Sequence, residues 1–186
     1  QVNQASDKEI TPLYMACQDG NSKVVEMLVA ADGIQVNQAD DEGTSPLYIA
    51  CRNGHLKVVE KLLAVAGIQV NQTDNERVTP LFMACQNGHS KVVQMLLAVG
   101  GIQINKATDE ETTPLYIACA RGHSKVVEKL LAVDGIEVNQ ATNKGWTPLN
   151  IACKNSHLKV VKMLLAVDAI QVNQATNKGS TQLNQA

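Results

Sequence analysis

The sequence has few aromatic residues, which make up 3% of its 186 positions and include one Trp and one Phe. Any core must therefore be built from Ala, Val, Leu and Ile. There is also no excess of basic residues, with 16 Lys and Arg against 18 Asp and Glu. This balance excludes a basic nucleic-acid-binding protein, because too few cations are present to neutralise phosphates. The sequence has no apolar run long enough for a membrane-spanning helix and no recognisable secretion signal.

The sequence does contain enough apolar residues for a packed core. Its hydrophobic content is 45% and its formal net charge is −2, a combination that excludes an intrinsically disordered chain. All five prolines and all five cysteines are spaced by 34 residues, and the four histidines follow the same spacing. A period of this length predicts a solenoid, in which similar helical units stack in a row.

We predict a single repeat array over residues 1–186. Its five units of 34 residues and its partial sixth unit are 5–38, 39–72, 73–106, 107–140, 141–174 and 175–186. Residues 1–4 match the end of a preceding unit, and neither end carries an evident polar capping unit. Because a repeat array needs capped ends for solubility, we expect the chain to be a fragment of a longer array.

Local rules predict two helices and a turn in each unit. In unit five, Thr147 and Pro148 predict a helix start, because a hydroxyl group caps the first turn and Pro lacks an N–H that would have no partner there. Asn155 and the residue after it predict a break, and a second helix is expected from about Leu158 to Asp168. An extended segment and a polar turn follow. Since neither helix can bury its apolar face alone, neighbouring units are expected to stack.

One motif carries a family resemblance. The pattern Gly-x-Thr-Pro-Leu-x-x-Ala-Cys-x-x-Gly-His-x-x-Val-Val-x-x-Leu-Leu, followed by Val-Asn, recurs with small changes in all five units, and it resembles the ankyrin repeat. The resemblance implies an all-α repeat solenoid, with a helix-turn-helix and a β-turn or hairpin loop in each unit. It also implies that a ring nitrogen of each His holds turn backbone. The residues that replace the His of the family's Thr-Pro-Leu-His motif are Tyr14, Tyr48, Phe82, Tyr116 and Asn150.

The Cys and His residues do not predict catalysis or metal binding. Packed helices lie about 8–10 Å apart, whereas a disulfide needs Cα atoms within roughly 7 Å, so equivalent Cys residues are expected to be free, buried thiols. The His residues have no Cys or carboxylate partners at ligand spacing and are expected to be structural. No phosphate-binding glycine loop, Gly-x-Ser-x-Gly motif or Cys-x-x-Cys pair occurs. We therefore predict no enzymatic activity, no cofactor and no metal.

The differences between units predict a binding surface. Eleven of the 34 positions are identical in all five units, and most of them are expected in the core or the turns. The variable positions concentrate at the turn tips and at the ends of the first helices, which the resemblance implies line a concave face that meets partners. The candidate partner-binding residues are Glu42, Arg52, Glu76, Val78, Glu110, Thr112, Arg121, Asn143, Lys144, Trp146, Lys154 and Asn155.

The charge of the tips changes along the chain. The first four tips are acidic, whereas Lys144 and Lys178 make the last two basic. This gradient is interpreted either as a means of orienting a partner of opposite polarity or as ordinary solvated turn charge. Two interpretations also remain for Trp146, which either contacts a partner or packs over the neighbouring tip.

These features favour a non-catalytic scaffold that binds a partner protein. The alternative is a passive structural spacer or spring, or a designed-like scaffold, without a specific partner. We expect no nucleic acid, membrane or small-molecule substrate, and self-association through uncapped ends is a further alternative. Unpaired thiols favour a reducing compartment, so an intracellular location in the cytoplasm or nucleus is expected, with secretion as an effector left open.

Overall fold

A computed structural model describes residues 2–174, so the predicted partial sixth unit at 175–186 lies outside the described residues. Over residues 2–174 the fold is all-α and contains no strand. Its ten helices are α1 (Pro12–Gln18), α2 (Ser22–Val29), α3 (Pro46–Asn53), α4 (Leu56–Leu63), α5 (Pro80–Gln86), α6 (Ser90–Leu97), α7 (Pro114–Ala120), α8 (Ser124–Leu131), α9 (Pro148–Lys154) and α10 (Leu158–Leu165). The predicted pair of helices in each unit is confirmed.

The first helix of every pair begins with the predicted cap. Pro occupies the start of the helix, and the hydroxyl of the preceding Thr or Ser accepts a hydrogen bond from a backbone N–H in the first turn. In α9 the cap is reciprocal, because the side-chain oxygen of Asn150 accepts from the backbone N–H of Thr147 at 2.9 Å while the Thr147 hydroxyl accepts from the N–H of Asn150 at 3.1 Å. The start predicted at Thr147 and Pro148 is therefore confirmed.

The second helix of each pair ends earlier than predicted. Helix α10 stops at Leu165 and is capped by Ala166, although the sequence analysis placed its end near Asp168. The N–H groups of Ala166 and Val167 donate to carbonyls three residues back, at 3.3 Å and 3.1 Å. This tightening of the last turn closes the α-helix before the Asp is reached.

The chain divides into two compact parts after Ile102. In the N-terminal part, α1, α3 and α5 pack in succession, as do α2, α4 and α6. The two helices of each unit also contact each other, α1 with α2, α3 with α4 and α5 with α6. In the C-terminal part, α7 packs on α9, α8 packs on α10, and each pair again shares a contact. Within each part, first helices therefore stack on first helices and second helices on second helices.

The core is aliphatic, as the scarcity of aromatics predicts. One Leu of each first helix and most equivalent Leu residues of the second helices are fully buried, namely Leu13, Leu47, Leu81, Leu115 and Leu149, with Leu62, Leu96, Leu130 and Leu164. Four of the five Cys are buried, and Cys153 is half-buried. Not all apolar side chains are buried, because Met27 is 74% exposed and Leu158 is 72% exposed.

An Asn that is identical in all five units clamps one loop to the next. The side chain of Asn37 donates from Nδ2 to the carbonyl oxygen of Gly67 at 2.8 Å, and its Oδ1 accepts from the backbone N–H of Gln69 at 2.9 Å. Asn139 makes the same pair of hydrogen bonds with Ala169 and Gln171, at 2.7 Å and 2.9 Å. Both ends of the amide are therefore used, which explains why the position does not vary.

The His residues are structural, as the resemblance implies, but they act on the preceding helix pair. Nε2 of His55 lies 3.0 Å from the carbonyl oxygen of Gln18, at the end of α1. Since a carbonyl can only accept, Nε2 carries the hydrogen. Gly54 has a φ of 73°, and a Cβ at that position would lie 2.5 Å from Nδ1 of His89. At Gly54, both the positive φ of the turn and the stacked ring of His89 therefore favour glycine.

A tyrosine adds a further hydrogen bond between helix pairs. The buried Tyr48 donates from its hydroxyl to Oδ2 of Asp74 at 2.8 Å, while Oδ1 of Asp74 accepts from the N–H groups of Glu76 and Val78 at 2.9 Å and 2.8 Å. Burial, together with the hydrogen bond and charge of Asp74, raises the pKa of Tyr48. The phenol therefore stays protonated and holds the turn that Asp74 organises.

Replacing Tyr48 with Phe is expected to lower the free energy of unfolding by about 1.5–3 kcal/mol, because a buried hydrogen bond to a carboxylate is lost while the ring is kept. Urea unfolding monitored by circular dichroism measures the change. Tyr116→Phe is the matched control, since the Tyr116 hydroxyl makes no hydrogen bond within residues 2–174; its effect should stay below about 0.5 kcal/mol. Equal losses in the two variants would show that the Asp74 contact contributes nothing.

Candidate protein-binding surface

The turn tips are closed by hydrogen bonds to their own first residue. In the second tip, the N–H of Asp40 donates to the carbonyl of Thr44 at 3.1 Å, and the N–H of Gly43 donates to the carbonyl of Asp40 at 3.0 Å. Oδ1 of Asp40 also accepts from the N–H groups of Glu42 and Thr44, at 3.1 Å and 2.8 Å. Each tip is therefore a defined hairpin-like turn with its intervening side chains directed outward by a fixed backbone.

Backbone hydrogen bonds align successive tips within each part. The N–H of Asp41 donates to the carbonyl of Lys8 at 3.3 Å, and that of Asn75 donates to the carbonyl of Glu42 at 3.1 Å. In the C-terminal part, the N–H of Asn143 donates to the carbonyl of Glu110 at 3.3 Å. The tips, at 6–10, 40–44, 74–78, 108–112 and 142–146, therefore form a row in each part. We call these tips the tip surface, together with the C-terminal ends of the first helices at 18–19, 52–53, 86–87, 120–121 and 154–155.

In three tips, a charged residue adopts a left-handed backbone conformation that glycine adopts at a lower energetic cost. Glu9, Arg77 and Glu111 have φ values of 59°, 63° and 59°, in the left-handed region, and the equivalent positions hold Gly43 and Gly145. A non-glycine residue in this region is less stable by roughly 1–2 kcal/mol. These side chains are thus kept at the apex of the tip despite a cost to folding.

Most predicted site residues are accessible on the tip surface. Those that are exposed are Glu42, Arg52, Glu76, Glu110, Arg121, Asn143, Lys144, Lys154 and Asn155, while Thr112 and Trp146 are half-buried. Val78 is different, because it is only 8% exposed and its N–H is bonded to Asp74. Val78 is therefore the least accessible of the candidate residues, and its contact with a partner stays a prediction.

The structure brings Trp146 and Lys154 together. The ammonium group of Lys154 lies 4.7 Å from the centroid of the Trp146 ring, within the range of a cation–π contact. Asn155 donates from Nδ2 to the carbonyl of Ala120 at 2.8 Å, which sets the end of α9 beside the end of α7. Trp146 and Lys154 were predicted separately as contact residues, and their separation of eight positions gives no signal of this contact.

Comparison with known families identifies the repeat. A family model described as ankyrin repeats (3 copies) matches residues 1–74, 66–142 and 135–186. The chain belongs to the ankyrin repeat family. Ankyrin repeats are generally protein–protein interaction modules and are typically non-catalytic. No curated protein matches the chain.

Burial keeps three thiols of this ankyrin array, those of Cys17, Cys51 and Cys119, in their neutral form. Burial raises the pKa of Cys17 to about 12 and raises that of Cys51 and Cys119 further. Such thiols are neutral near pH 7 and are poor nucleophiles. Among residues 2–174, no group of three or more His, Cys, Asp and Glu side chains is placed to hold a metal ion.

No helix within the described part of this ankyrin array is long and apolar enough to cross a membrane.

Proposed function

We propose that the chain is a non-catalytic scaffold that binds a partner protein through the tip surface. In this proposal the chain forms one array with the predicted units 5–38, 39–72, 73–106, 107–140 and 141–174. The partner is a protein, contacted mainly by the side chains of the tips and by the ends of the first helices.

One observation carries the proposal, namely that the constant positions are used for stacking whereas the variable positions are exposed. The Leu of the first helix and the Asn of the loop are constant and are buried or hydrogen-bonded in the same way in successive units of a part. The His of the turn, present in four units, repeats its contact with the preceding helix pair. The tip residues differ from unit to unit and most of them are exposed, and three of them occupy the left-handed region. A rigid frame that presents different side chains from unit to unit is suited to selective protein binding.

The binding test compares proteins captured by the wild type with those captured by the triple variant Trp146→Ala, Lys144→Glu and Arg121→Glu. Truncating an interface Trp alone weakens binding by about 2 kcal/mol, or about thirtyfold in affinity, and the two charge reversals add to this. We expect the triple variant to lose each specific partner, as measured by pull-down followed by titration of the captured protein.

A second triple variant, Leu158→Ala, Lys125→Glu and Lys159→Glu, is the matched control. It makes the same kinds of change at exposed positions of the second helices and should keep every partner. Circular dichroism spectra establish that both variants are folded. Equal recovery of all partners by the wild type and by the tip variant would contradict the proposal and favour a passive spacer.

A further inference from the structure

We propose that the C-terminal part of the tip surface binds an acidic segment of the partner protein. The carboxylates of that segment would contact Arg121 and Lys154, and an apolar side chain beside them would contact Trp146. This inference rests on the proposed function, because it names the chemistry of the partner at the same surface.

The Trp146 and Lys154 pair provides a preformed recognition element. The ring is half-buried and the lysine is exposed, so the ammonium group at 4.7 Å from the ring centroid has one side against the aromatic face and the other toward solvent. A cation restrained in this way loses less side-chain entropy when it pairs with a carboxylate. No other unit has an aromatic residue and a cation at these two positions.

The packing of α7 and α9 places the backbone of Arg121 beside the end of α9. The carbonyl of Ala120 accepts from Nδ2 of Asn155 at 2.8 Å and from Nε2 of His157 at 3.1 Å. The residue that follows Ala120 is therefore placed beside the end of α9, where Lys154 is the last helical residue. Two cations from different helix ends thus flank one exposed region.

Neither cation is neutralised by a carboxylate in the part of the chain that the structure describes. Arg121 and Lys154 have no carboxylate within ion-pairing distance among residues 2–174, whereas Lys61 in the N-terminal part pairs with Glu26 at 2.8 Å. The tip that contains Asp109, Glu110 and Glu111 is acidic and adjoins the tip of Lys144 through the Asn143 hydrogen bond. An acidic segment would therefore favour the helix ends over the neighbouring tip.

The distribution of charge supports the same assignment. Residues 1–102 contain seven Lys and Arg against eleven Asp and Glu, whereas residues 103–186 contain nine against seven. The N-terminal part therefore repels an acidic segment, and the C-terminal part attracts it.

The test is a titration with a short peptide of repeating Glu-Leu-Gly at low ionic strength. Trp146 is the only tryptophan, so its fluorescence reports on the proposed site directly. We expect saturable change in emission, loss of binding as salt is raised, and affinity about fivefold to tenfold weaker for Lys154→Glu and for Arg121→Glu. Lys159→Glu makes the same charge change on the exposed face of α10 and should alter affinity by less than about twofold.

Three results would overturn the inference: no response of Trp146 to the peptide, equal weakening by Lys159→Glu, or equal binding of a repeating Lys-Leu-Gly peptide. Adding the acidic peptide as a competitor to a complex with a captured partner distinguishes failure of this inference from failure of the proposed function. A partner that depends on the tip surface but is not displaced by the acidic peptide would refute the acidic class alone. A partner unaffected by the tip variant would refute the proposed function itself.

Discussion

Replacement of Val127 by Pro is expected to abolish helix α8 and to destabilise the protein by at least about 3 kcal/mol. Val127 is fully buried, and its N–H donates to the carbonyl of His123 at 3.0 Å. Pro removes this donor, and its ring clashes with the same carbonyl. Because α8 packs on α7 and α10, the damage should spread to both, as nearest-neighbour coupling requires. Thermal melting and the ellipticity at the helical minimum measure the two effects.

The matched variant Val127→Ala separates the effect of losing the backbone hydrogen bond from the effect of losing side-chain packing. It removes apolar surface but keeps the N–H, so a smaller loss of about 2 kcal/mol is expected, with the helical signal retained. A melting curve and a helical signal that are the same for Val127→Pro as for the wild type would contradict the assignment of α8. Equal effects of Pro and Ala would show that packing alone stabilises this helix.

The helices could be predicted because their signals are local. A Thr or Ser before Pro caps each first helix, and the apolar spacing of the second helices leaves the Lys that is identical in all five units exposed. Capping and amphipathic spacing act within one or two turns, so a single unit contains all the information they need. The end of α10 was misplaced because its last turn is tightened by backbone hydrogen bonds that no residue type announces.

From the sequence, the residues that join units could be recognised only because they do not vary, and their partners could not be predicted. The repeated Asn was evident in the sequence, but its double hydrogen bond joins residues 30 and 32 positions apart, and that register exists only after stacking. Tyr48 and Asp74 are separated by 26 positions, and nothing in either unit alone pairs them. The candidate surface was located by variability, whereas the Trp146 and Lys154 contact and the burial of Val78 depend on side-chain direction.

Raising the pH above about 9 is expected to unfold the protein progressively, because its buried thiols resist ionisation. Burial raises the pKa of Cys17 from 9.0 to about 12 and raises the pKa values of Cys51 and Cys119 even more. The folded state therefore keeps these protons at a pH where the unfolded state has released them. For an acid whose folded pKa is raised, stability is complete below the unfolded pKa and falls as pH rises above it. The buried Tyr14 and Tyr48 and the half-buried Tyr116, whose pKa values are also raised, add to the decline from about pH 10.

The expected loss is about 1.4 kcal/mol per buried thiol for each pH unit above the unfolded pKa. For Cys17, Cys51 and Cys119 together this reaches roughly 4 kcal/mol near pH 10. Urea unfolding in the presence of a reductant, from pH 7 to 10.5, measures the slope. The variant in which these three Cys are replaced by Ala starts from a lower stability, because small cavities form, but its stability should decline much less steeply. If wild type and variant lost stability in parallel, ionisation of the thiols could not be the cause, and the three side chains would have to be more accessible to water than their burial indicates.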